Sequence, residues 1–184
     1  MQAIKRISGI LLDILIALVI ILGIITTIIS LTSNEDGIPN VFGYSPFSIQ
    51  TNSMAPTMKA GDLIIVKSIE PKSLVVGDII SYYDTIDGEN VIKTHRIISI
   101  IDDGVRLYTT RGDNNDVDDD YVLTEVDIIG KYQNIKIPLL GYIIDFFKSK
   151  WGFLLFIVLP LAVIFVVQLI SLIKLIVDDD EDDE

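Results

Sequence analysis

The sequence contains no cysteine and only one histidine, His95, among its 184 residues. Disulfide bonds are therefore excluded, and a zinc site built from cysteine and histidine ligands cannot form. The 14 basic residues form no continuous stripe, which disfavours a nucleic-acid-binding protein. We therefore expect neither a disulfide framework nor a nucleic-acid partner.

The acidic residues are concentrated in two short segments. Residues 102–120 hold seven of the 26 acidic residues, and residues 178–184 hold seven more. Runs of this kind usually stay solvated. Half of all residues are apolar, and the mean hydropathy of +0.52 is unusually high for a soluble domain of this length. The composition therefore argues against an ordinary cytosolic globular protein.

Two apolar runs are long enough to cross a membrane as helices. Residues 10–31 and 152–173 each contain 22 residues. A helix of that length measures about 33 Å, against a hydrocarbon core of about 30 Å. The first run is longer than the apolar part of a cleaved signal peptide, and no small-residue cleavage site follows it. The sequence therefore predicts two transmembrane helices, at residues 10–31 and 151–174.

The flanking charges predict an orientation for these helices. Lys5 and Arg6 precede the first run, which favours a cytoplasmic N-terminus at residues 1–9. Residues 32–150 are then extracytoplasmic, and residues 175–184 form an acidic cytoplasmic tail. Its end at residues 178–184 is expected to be solvated and disordered. The expected location is the cell membrane, crossed twice, with the lipid bilayer as a partner.

Residues 32–150 show the pattern of a small β domain. Turn-forming residues punctuate this segment, and no stretch keeps the 3.6-residue period of a helix. Short runs rich in β-branched residues stand between the turns, at Leu63–Val66, Ile79–Tyr83, Val91–Ile101, Gly104–Thr110 and Asp127–Ile137. Gly-Asp at 61–62 and again at 77–78 indicates two turn-to-strand entries of the same type. The predicted fold class is a mainly antiparallel β domain flanked by two transmembrane α-helices.

Three clusters in this segment carry nucleophilic, basic and acidic side chains. They are Thr51–Met58, Lys93–Arg96 and Thr110–Asp120. A serine hydroxyl is a weak nucleophile until a neighbouring base removes its proton, and imidazole suits that task near neutral pH. A carboxylate on the second ring nitrogen fixes the tautomer. Each cluster alone is typical of an ordinary loop, a packed histidine or a solvated acidic run, but together they contain the parts of a Ser/His/Asp site.

These clusters resemble the signature boxes of type I signal peptidases. The similarity is to the endoplasmic-reticulum-like branch, which also occurs in archaea and some Gram-positive bacteria. The matching segments are Ser53-Met-Ala-Pro-Thr57, His95-Arg96 and Gly112-Asp-Asn-Asn-Asp-Val-Asp-Asp119, in this order behind a membrane anchor. The bacterial branch has lysine where this sequence has His95. The resemblance implies a signal-peptidase-like β catalytic domain in a membrane-bound serine endopeptidase that removes N-terminal signal peptides from exported preproteins.

The resemblance also assigns roles to individual residues. Ser53 matches the nucleophile, His95 the general base and Asp119 the essential acid, while Asp113 matches a supporting acid. The backbone N–H of Ser53 and the hydroxyl of Thr51 are the implied oxyanion donors. No cofactor is implied. The implied partners are signal-peptide-bearing preproteins, and the protein translocation machinery is a further candidate.

Alternatives to this interpretation remain open. Asp118 and Asp120 flank the assigned acid, so a shift of one residue would change the assignment. Asp116, Asp118, Asp120 and Asp127 also stand at positions 1, 3, 5 and 12 of an EF-hand-like calcium loop, although the glycine and glutamate that such a loop needs are absent. A third interpretation is a non-catalytic, membrane-anchored β domain that binds another protein.

Overall fold

A computed structural model of the chain describes residues 37–86 and 88–181, and shorter pieces before them at 9–10, 13–14, 16–17, 20–21, 23–24, 27–28 and 31–33. The side chains at 156 and 174–181 are not described. The chain divides into two compact units. One unit is Ile28–Ile144, and the other combines Met1–Thr27 with Asp145–Glu184.

The unit Ile28–Ile144 contains a six-stranded sheet. Its strands are β1 (Tyr44–Ser48), β2 (Leu63–Lys67), β3 (Ile79–Ile86), β4 (Glu89–Asp103), β5 (Val105–Arg111) and β6 (Ile128–Ile137). They are arranged in the order β1-β2-β6-β3-β4-β5, and every neighbouring pair is antiparallel. The prediction of a mainly antiparallel β domain is confirmed.

All five strands that the sequence predicts are present, with ends within three residues of the predicted ones. The first strand, β1, is not predicted, because its sequence Tyr-Ser-Pro-Phe-Ser has no β-branched residue and contains a proline. Pro46 is tolerated because β1 lies at the edge of the sheet and pairs only with β2 within the described residues.

The buried side chains form two clusters that share β3. Successive side chains of a strand point to opposite faces of the sheet. Ile79 accordingly belongs to the first cluster, whereas Ile80 and Tyr82 belong to the second. The other members of the first cluster are Ile49, Met54, Met58, Ile64, Val66 and Tyr132, and those of the second are Leu74, Ile97, Tyr108 and Leu123. Both faces of the sheet are therefore covered, the first partly by the loop between β1 and β2.

The two Gly-Asp sequences form the same kind of turn before β2 and β3. The carboxylate of Asp62 accepts a hydrogen bond of 2.9 Å from the Lys59 N–H, and that of Asp78 accepts one of 3.1 Å from the Val75 N–H. In both turns the aspartate N–H donates to the carbonyl oxygen three residues earlier. The expected pair of turn-to-strand entries is therefore confirmed.

Helical segments follow the sheet. They are α1 (Leu140–Lys148), α2 (Lys150–Phe153), a π-helical turn (Leu154–Val158) and α3 (Leu159–Glu181). Pro160 lies in the first turn of α3 and has no N–H to donate to the preceding turn. The wider π turn lies directly before this position, where the regular hydrogen-bond ladder cannot continue.

No helix in the described part of the chain is both long enough and apolar enough to cross a membrane. This result does not support the predicted span at 151–174. The predicted span at 10–31 lies largely outside the described residues.

The prediction of a disordered acidic tail is wrong for residues 178–181. Helix α3 continues through these residues to Glu181. Residues 182–184 lie outside the described part of the chain.

Candidate active site

His95 lies buried on the internal strand β4, where only 4% of its surface is exposed. It is paired in register with Ile80 on the neighbouring strand β3, so the two side chains share one face of the sheet. Strand β5 pairs with the other side of β4. The sheet therefore fixes the position of the imidazole and shields it from water.

The three predicted residues meet at this imidazole. Ser53 Oγ lies 3.0 Å from His95 Nε2, and Asp119 Oδ2 lies 2.6 Å from His95 Nδ1. The serine is 42 residues and the aspartate 24 residues away from the histidine in sequence, so the fold alone brings them together. This is the order of contacts that a Ser/His/Asp triad requires. The catalytic role of each residue stays a prediction.

The structure distinguishes Asp119 from its two neighbours. Asp118 Oδ1 lies 3.4 Å from Arg111 Nη1, and about half of the Asp118 side chain is exposed. Asp120 is also exposed. Of these three aspartates, Asp119 is the one that contacts the imidazole.

Three hydrogen-bond donors converge on Asp119 Oδ2. Besides the His95 ring at 2.6 Å, the hydroxyl of Thr110 donates at 2.7 Å and that of Tyr82 at 3.0 Å. Burial raises the pKa of Asp119, but these hydrogen bonds and the neighbouring imidazole lower it by more, so the net pKa lies below the usual value. Burial also raises the pKa of Tyr82, which keeps the phenol a neutral donor. Asp119 is therefore held as a carboxylate.

The ionised carboxylate determines the protonation pattern of the ring. A carboxylate can only accept hydrogen bonds, so His95 Nδ1 must carry the proton that points to Asp119. In the neutral ring, Nε2 is then unprotonated and accepts the Ser53 hydroxyl proton. The geometry therefore suits proton removal from Ser53.

Sequence reasoning misses Tyr82, and it includes Thr110 in the third cluster without assigning it a role. In the sequence they look like ordinary strand residues. Their positions follow from the strand register. On β5, Thr110 is paired with Ile97, which lies two residues after His95. On β3, Tyr82 lies two residues after Ile80, which is paired with His95. Because side chains alternate between the two faces of a sheet, Tyr82 and Thr110 lie on the same face as His95. This can be predicted only when the pairing of the strands is known.

The loop that carries Ser53 is anchored on both sides of the serine. Met54 and Met58 are fully buried in the first core cluster. The side-chain oxygen of Asn52 accepts a hydrogen bond of 3.0 Å from the Ala60 N–H. The loop therefore holds the serine in place through packing and through its own hydrogen bonds.

A second connection ties this loop to the acidic cluster. The carbonyl oxygen of Ser53 accepts a hydrogen bond of 2.8 Å from the Asn114 N–H. Gly112 lies so close that a Cβ atom at this position would stand 2.6 Å from the same carbonyl oxygen. The backbone at Gly112 and Asn114 thus packs directly against the backbone of Ser53.

The two groups predicted to be oxyanion donors lie at the serine. Thr51 Oγ1 lies 3.2 Å from Ser53 Oγ. The Ser53 N–H makes no hydrogen bond with the described residues. Both predicted donors are therefore placed at the nucleophile, where a negative charge would form during attack on a carbonyl group.

Asp113 connects the boxes but does not contact the imidazole. Its carboxylate accepts two hydrogen bonds from Arg96, at 2.8 and 2.7 Å, and a third of 2.5 Å from the Thr57 hydroxyl. The bonds from Arg96 are the main reason that the pKa of Asp113 is lowered, with a further contribution from Thr57. Arg96 follows His95 directly in the chain and Thr57 lies in the serine loop, so Asp113 links the histidine strand to that loop.

The aspartates of the calcium alternative do not converge. Asp118 turns towards Arg111. Asp127 accepts hydrogen bonds from the N–H and hydroxyl of Thr124, at 2.7 and 2.8 Å, and so caps the short 3₁₀ helix Glu125–Asp127. The part of the chain that the structure describes holds no group of three or more histidine, cysteine, aspartate or glutamate side chains arranged for a metal ion.

Comparisons with known proteins agree with this geometry. Residues 7–122 match the family model described as signal peptidase, peptidase S26. Signal peptidase I W of Bacillus subtilis is 35% identical over 136 residues, which is 73% of this chain and 68% of that protein. A signal peptidase complex catalytic subunit of Yarrowia lipolytica is 32% identical over 104 residues, which is 52% of this chain and 58% of that protein. A human signal peptidase complex catalytic subunit is 27% identical over 119 residues, 58% of this chain and 60% of that protein.

The matched region contains the serine, the histidine and the aspartate that meet in the structure. The resemblance to type I signal peptidases is therefore confirmed, and the chain belongs to the peptidase S26 family of signal peptidases.

Proposed function

We propose that this chain is a membrane-bound serine endopeptidase that removes signal peptides from preproteins, with Ser53 as nucleophile, His95 as general base and Asp119 as the acid that orients the ring. Family membership supports the reaction and the substrate class. The observation that carries the assignment of residues is the 3.0 Å contact between Ser53 Oγ and His95 Nε2, backed by the 2.6 Å contact between His95 Nδ1 and Asp119.

The first half of the reaction forms an acyl-enzyme. Ser53 Oγ attacks the carbonyl carbon at the end of the signal peptide while His95 Nε2 takes the hydroxyl proton. The Ser53 N–H and the Thr51 hydroxyl stabilise the negative oxygen of the tetrahedral intermediate. His95 then gives its proton to the leaving amine, and the C–N bond breaks to release the mature protein.

The second half regenerates the enzyme. A water molecule gives a proton to His95 Nε2 and attacks the ester carbonyl carbon. The ester bond to Ser53 breaks, and the imidazolium returns its proton to the serine oxygen. Asp119 stays ionised throughout and stabilises the imidazolium, which its lowered pKa supports.

The proposed enzyme is held in the membrane by its two apolar runs. Helices at residues 10–31 and 151–174 cross the bilayer, residues 1–9 and 175–184 are cytoplasmic, and residues 32–150 form the catalytic domain outside the cytoplasm. The 22-residue apolar runs and the basic pair Lys5 and Arg6 support this arrangement. It places Ser53 on the side of the membrane where a translocated signal peptide ends.

The substrate class follows from this arrangement. Signal peptides end in small residues after an apolar segment that stays in the bilayer. An extended substrate strand would present alternate side chains to shallow surfaces beside Ser53, which favours small residues at the cleavage site. The preprotein and the bilayer are therefore the proposed partners, with the translocation machinery as a further candidate.

Cleavage of a defined preprotein tests the proposed function. The full chain is reconstituted in lipid vesicles and given a preprotein with a site of the form Ala-x-Ala, and the product is sequenced from its N-terminus. We expect one cut directly after this site. We also expect the rate to be unchanged in EDTA, because every group in the proposed mechanism is a side chain or a backbone group of the chain.

A matched substrate provides the control for this experiment. It carries the same apolar segment, but large residues replace both alanines, and we expect it to remain uncut. A chain that leaves the first preprotein intact is the non-catalytic β domain of the alternative interpretation. Cleavage that stops in EDTA and returns on addition of calcium would favour a metal-dependent mechanism.

A further prediction concerns the contact between Gly112 and the serine backbone. In the Gly112→Ala variant we expect cleavage to fall by at least tenfold, because the new Cβ atom would displace the Ser53 carbonyl oxygen, 2.6 Å away, and with it the nucleophile. Gly88→Ala is not a suitable control because Gly88 has a positive φ. Val117→Ala, at an exposed position of the same cluster, should leave the rate unchanged. Wild-type cleavage by the Gly112→Ala variant would contradict the prediction.

A further inference from the structure

Two lysines of β6 each lie beside one of the two matching Gly-Asp turns. Lys131 Nζ is 2.6 Å from Asp78 Oδ1, and Lys136 Nζ is 3.6 Å from Asp62 Oδ2. Both aspartate side chains are largely buried. An ammonium group beside each turn balances the charge of its carboxylate, so ion pairing is a property that the two lysines share.

Lys136 makes a further contact, with the loop that carries Ser53. Its ammonium group donates a hydrogen bond of 2.8 Å to the carbonyl oxygen of Thr57, a residue 79 positions earlier in the chain. The distance of 3.6 Å to Asp62 exceeds the usual length of a hydrogen bond. The closer partner of the Lys136 ammonium group is therefore the backbone of the serine loop.

Thr57 is held at two atoms by two different parts of the chain. Its hydroxyl donates a hydrogen bond of 2.5 Å to Asp113, and its carbonyl oxygen accepts the one from Lys136. Asp113 also binds Arg96, the neighbour of His95. Lys136 lies on β6, which pairs with β3, and β3 pairs with the strand of His95. Both contacts therefore connect the loop to the part of the sheet that holds the imidazole.

The position of Thr57 affects the position of the nucleophile. Thr57 is only four residues from Ser53. The chain between them forms a turn, closed by a hydrogen bond of 2.9 Å from the Met58 N–H to the Met54 carbonyl oxygen. Because each residue of this turn has only two soft torsion angles, a displacement of Thr57 is passed on to Ser53.

We propose that Lys136 is a positioning residue for the nucleophile. Its ammonium group holds the Thr57 carbonyl oxygen, and this contact keeps Ser53 Oγ within hydrogen-bonding distance of His95 Nε2. The inference rests on the proposed function, because it takes Ser53 as the nucleophile. Misplacement of a reacting group by about 1 Å can lower a rate about 10²-fold, so Lys136 affects catalysis without touching the substrate.

The Lys136→Met variant tests this role in the full chain. Methionine keeps the apolar stem of lysine but has no N–H to donate. We expect kcat for a soluble peptide with an Ala-x-Ala site to fall at least tenfold, because Ser53 is no longer held at His95. We expect KM to change less than about twofold, because Lys136 does not contact the substrate. Steady-state kinetics with the chain in lipid vesicles measure both constants.

The matched control is Lys131→Met. It removes the same charge from the same strand and breaks the ion pair with the equivalent turn. Lys131 is paired in register with Ile80, which is also the partner of His95, so a general effect of lost charge would appear in this variant too. We expect its kcat to stay within about twofold of wild type. A loss equal to that in Lys136→Met overturns the proposal, since Lys136 would then act only as the counter-charge of Asp62.

The Lys136→Arg variant separates the hydrogen bond from the shape of the side chain. A guanidinium group keeps the positive charge and has five N–H donors, so it can still bind the Thr57 carbonyl oxygen. We expect kcat to stay within about threefold of wild type. An arginine variant as slow as Lys136→Met would assign the loss to packing of the lysine stem and would overturn the role of the hydrogen bond.

Amide hydrogen exchange tests the loop without any catalysis. Mass spectrometry follows residues 52–60, which include the hydrogen-bonded Met58 N–H. We expect exchange there to be faster in Lys136→Met than in wild type and unchanged in Lys131→Met. Both variants should match wild type at residues 79–100, in β3 and β4, which shows that the sheet is intact. Slow cleavage by Lys136→Met with wild-type exchange at residues 52–60 overturns the proposal, because the loss would not arise from the loop.

The outcomes separate this inference from the proposed function. If wild type cuts the peptide and Lys136→Met has the same kcat, the positioning role is overturned and the proposed function stands. A loss that appears in KM alone would place Lys136 in substrate binding, which also overturns the positioning role. A wild-type chain that cuts no substrate overturns the proposed function, and exchange at residues 52–60 then decides whether Lys136 holds the loop.

Discussion

Replacement of Ser53 by alanine is expected to abolish preprotein cleavage, with a loss on the order of 10⁶-fold in kcat, as found when the nucleophile of a serine protease is removed. The substitution deletes one oxygen atom, whose contacts are with the His95 ring at 3.0 Å and the Thr51 hydroxyl at 3.2 Å. The packing of the loop depends on Met54 and Met58 instead. We therefore expect a folded protein whose thermal unfolding temperature stays close to that of wild type.

The control for this substitution is Ser99→Ala, which removes an exposed hydroxyl from the strand that carries His95. It should cut the same vesicle-inserted preprotein at the wild-type rate. Both variants are compared by gel assay and by circular dichroism. Retained cleavage by Ser53→Ala, in a protein that is shown to be folded, would falsify the assignment of the nucleophile.

Asp119→Asn is expected to lower kcat by about 10⁴-fold while KM changes little. The amide of asparagine can donate a hydrogen bond to His95 Nδ1, which moves the ring proton to Nε2. Nε2 then cannot accept the proton of Ser53, although the three side chains keep their positions. Steady-state kinetics with a soluble peptide substrate measure both constants.

The neighbouring aspartates provide matched controls for this variant. Asp118→Asn and Asp120→Asn make the same chemical change one residue to either side, at exposed positions. We expect each to keep its activity within about threefold of wild type, since surface charges have small effects. A large loss in Asp118→Asn or Asp120→Asn, together with an active Asp119→Asn, would move the acid by one residue.

The same variant should change the pH dependence of stability. The pKa of Asp119 is lowered in the folded state, so its ionisation stabilises the fold at a pH above the value for the unfolded chain. This contribution disappears as the pH falls through the folded-state pKa. Denaturant unfolding should therefore find Asp119→Asn less stable than wild type at neutral pH, and the difference should shrink in acid.

Sequence patterns predict most of the sheet in this protein because its strands are short runs of β-branched residues between turns. They miss β1, whose proline and serines lack that signal and are tolerated only at an edge. They also miss the helical backbone at residues 178–181, because acidic composition predicts solvation but does not by itself end a helix. Edge position and helix continuation depend on neighbouring elements, which a local pattern does not contain.

The predicted site depended on chemistry and family resemblance, since Ser53, His95 and Asp119 are far apart in the chain. The choice between Asp119 and its neighbours needed the structure, because three consecutive aspartates are equivalent by composition. Tyr82 and Thr110 needed it as well, because their contact with Asp119 follows from strand register. A sequence motif can thus identify the proposed catalytic residues. The residues that hydrogen-bond to the acid can be identified only from the pairing of the strands.

The hydrogen bond from the Asn114 N–H to the Ser53 carbonyl oxygen has a consequence for biosynthesis. It joins two segments that leave the ribosome about 60 residues apart, so a nascent chain that ends before residue 114 lacks both this hydrogen bond and Asp119. The contacts between Ser53, His95 and Asp119 can therefore form only after residue 119 has been synthesised.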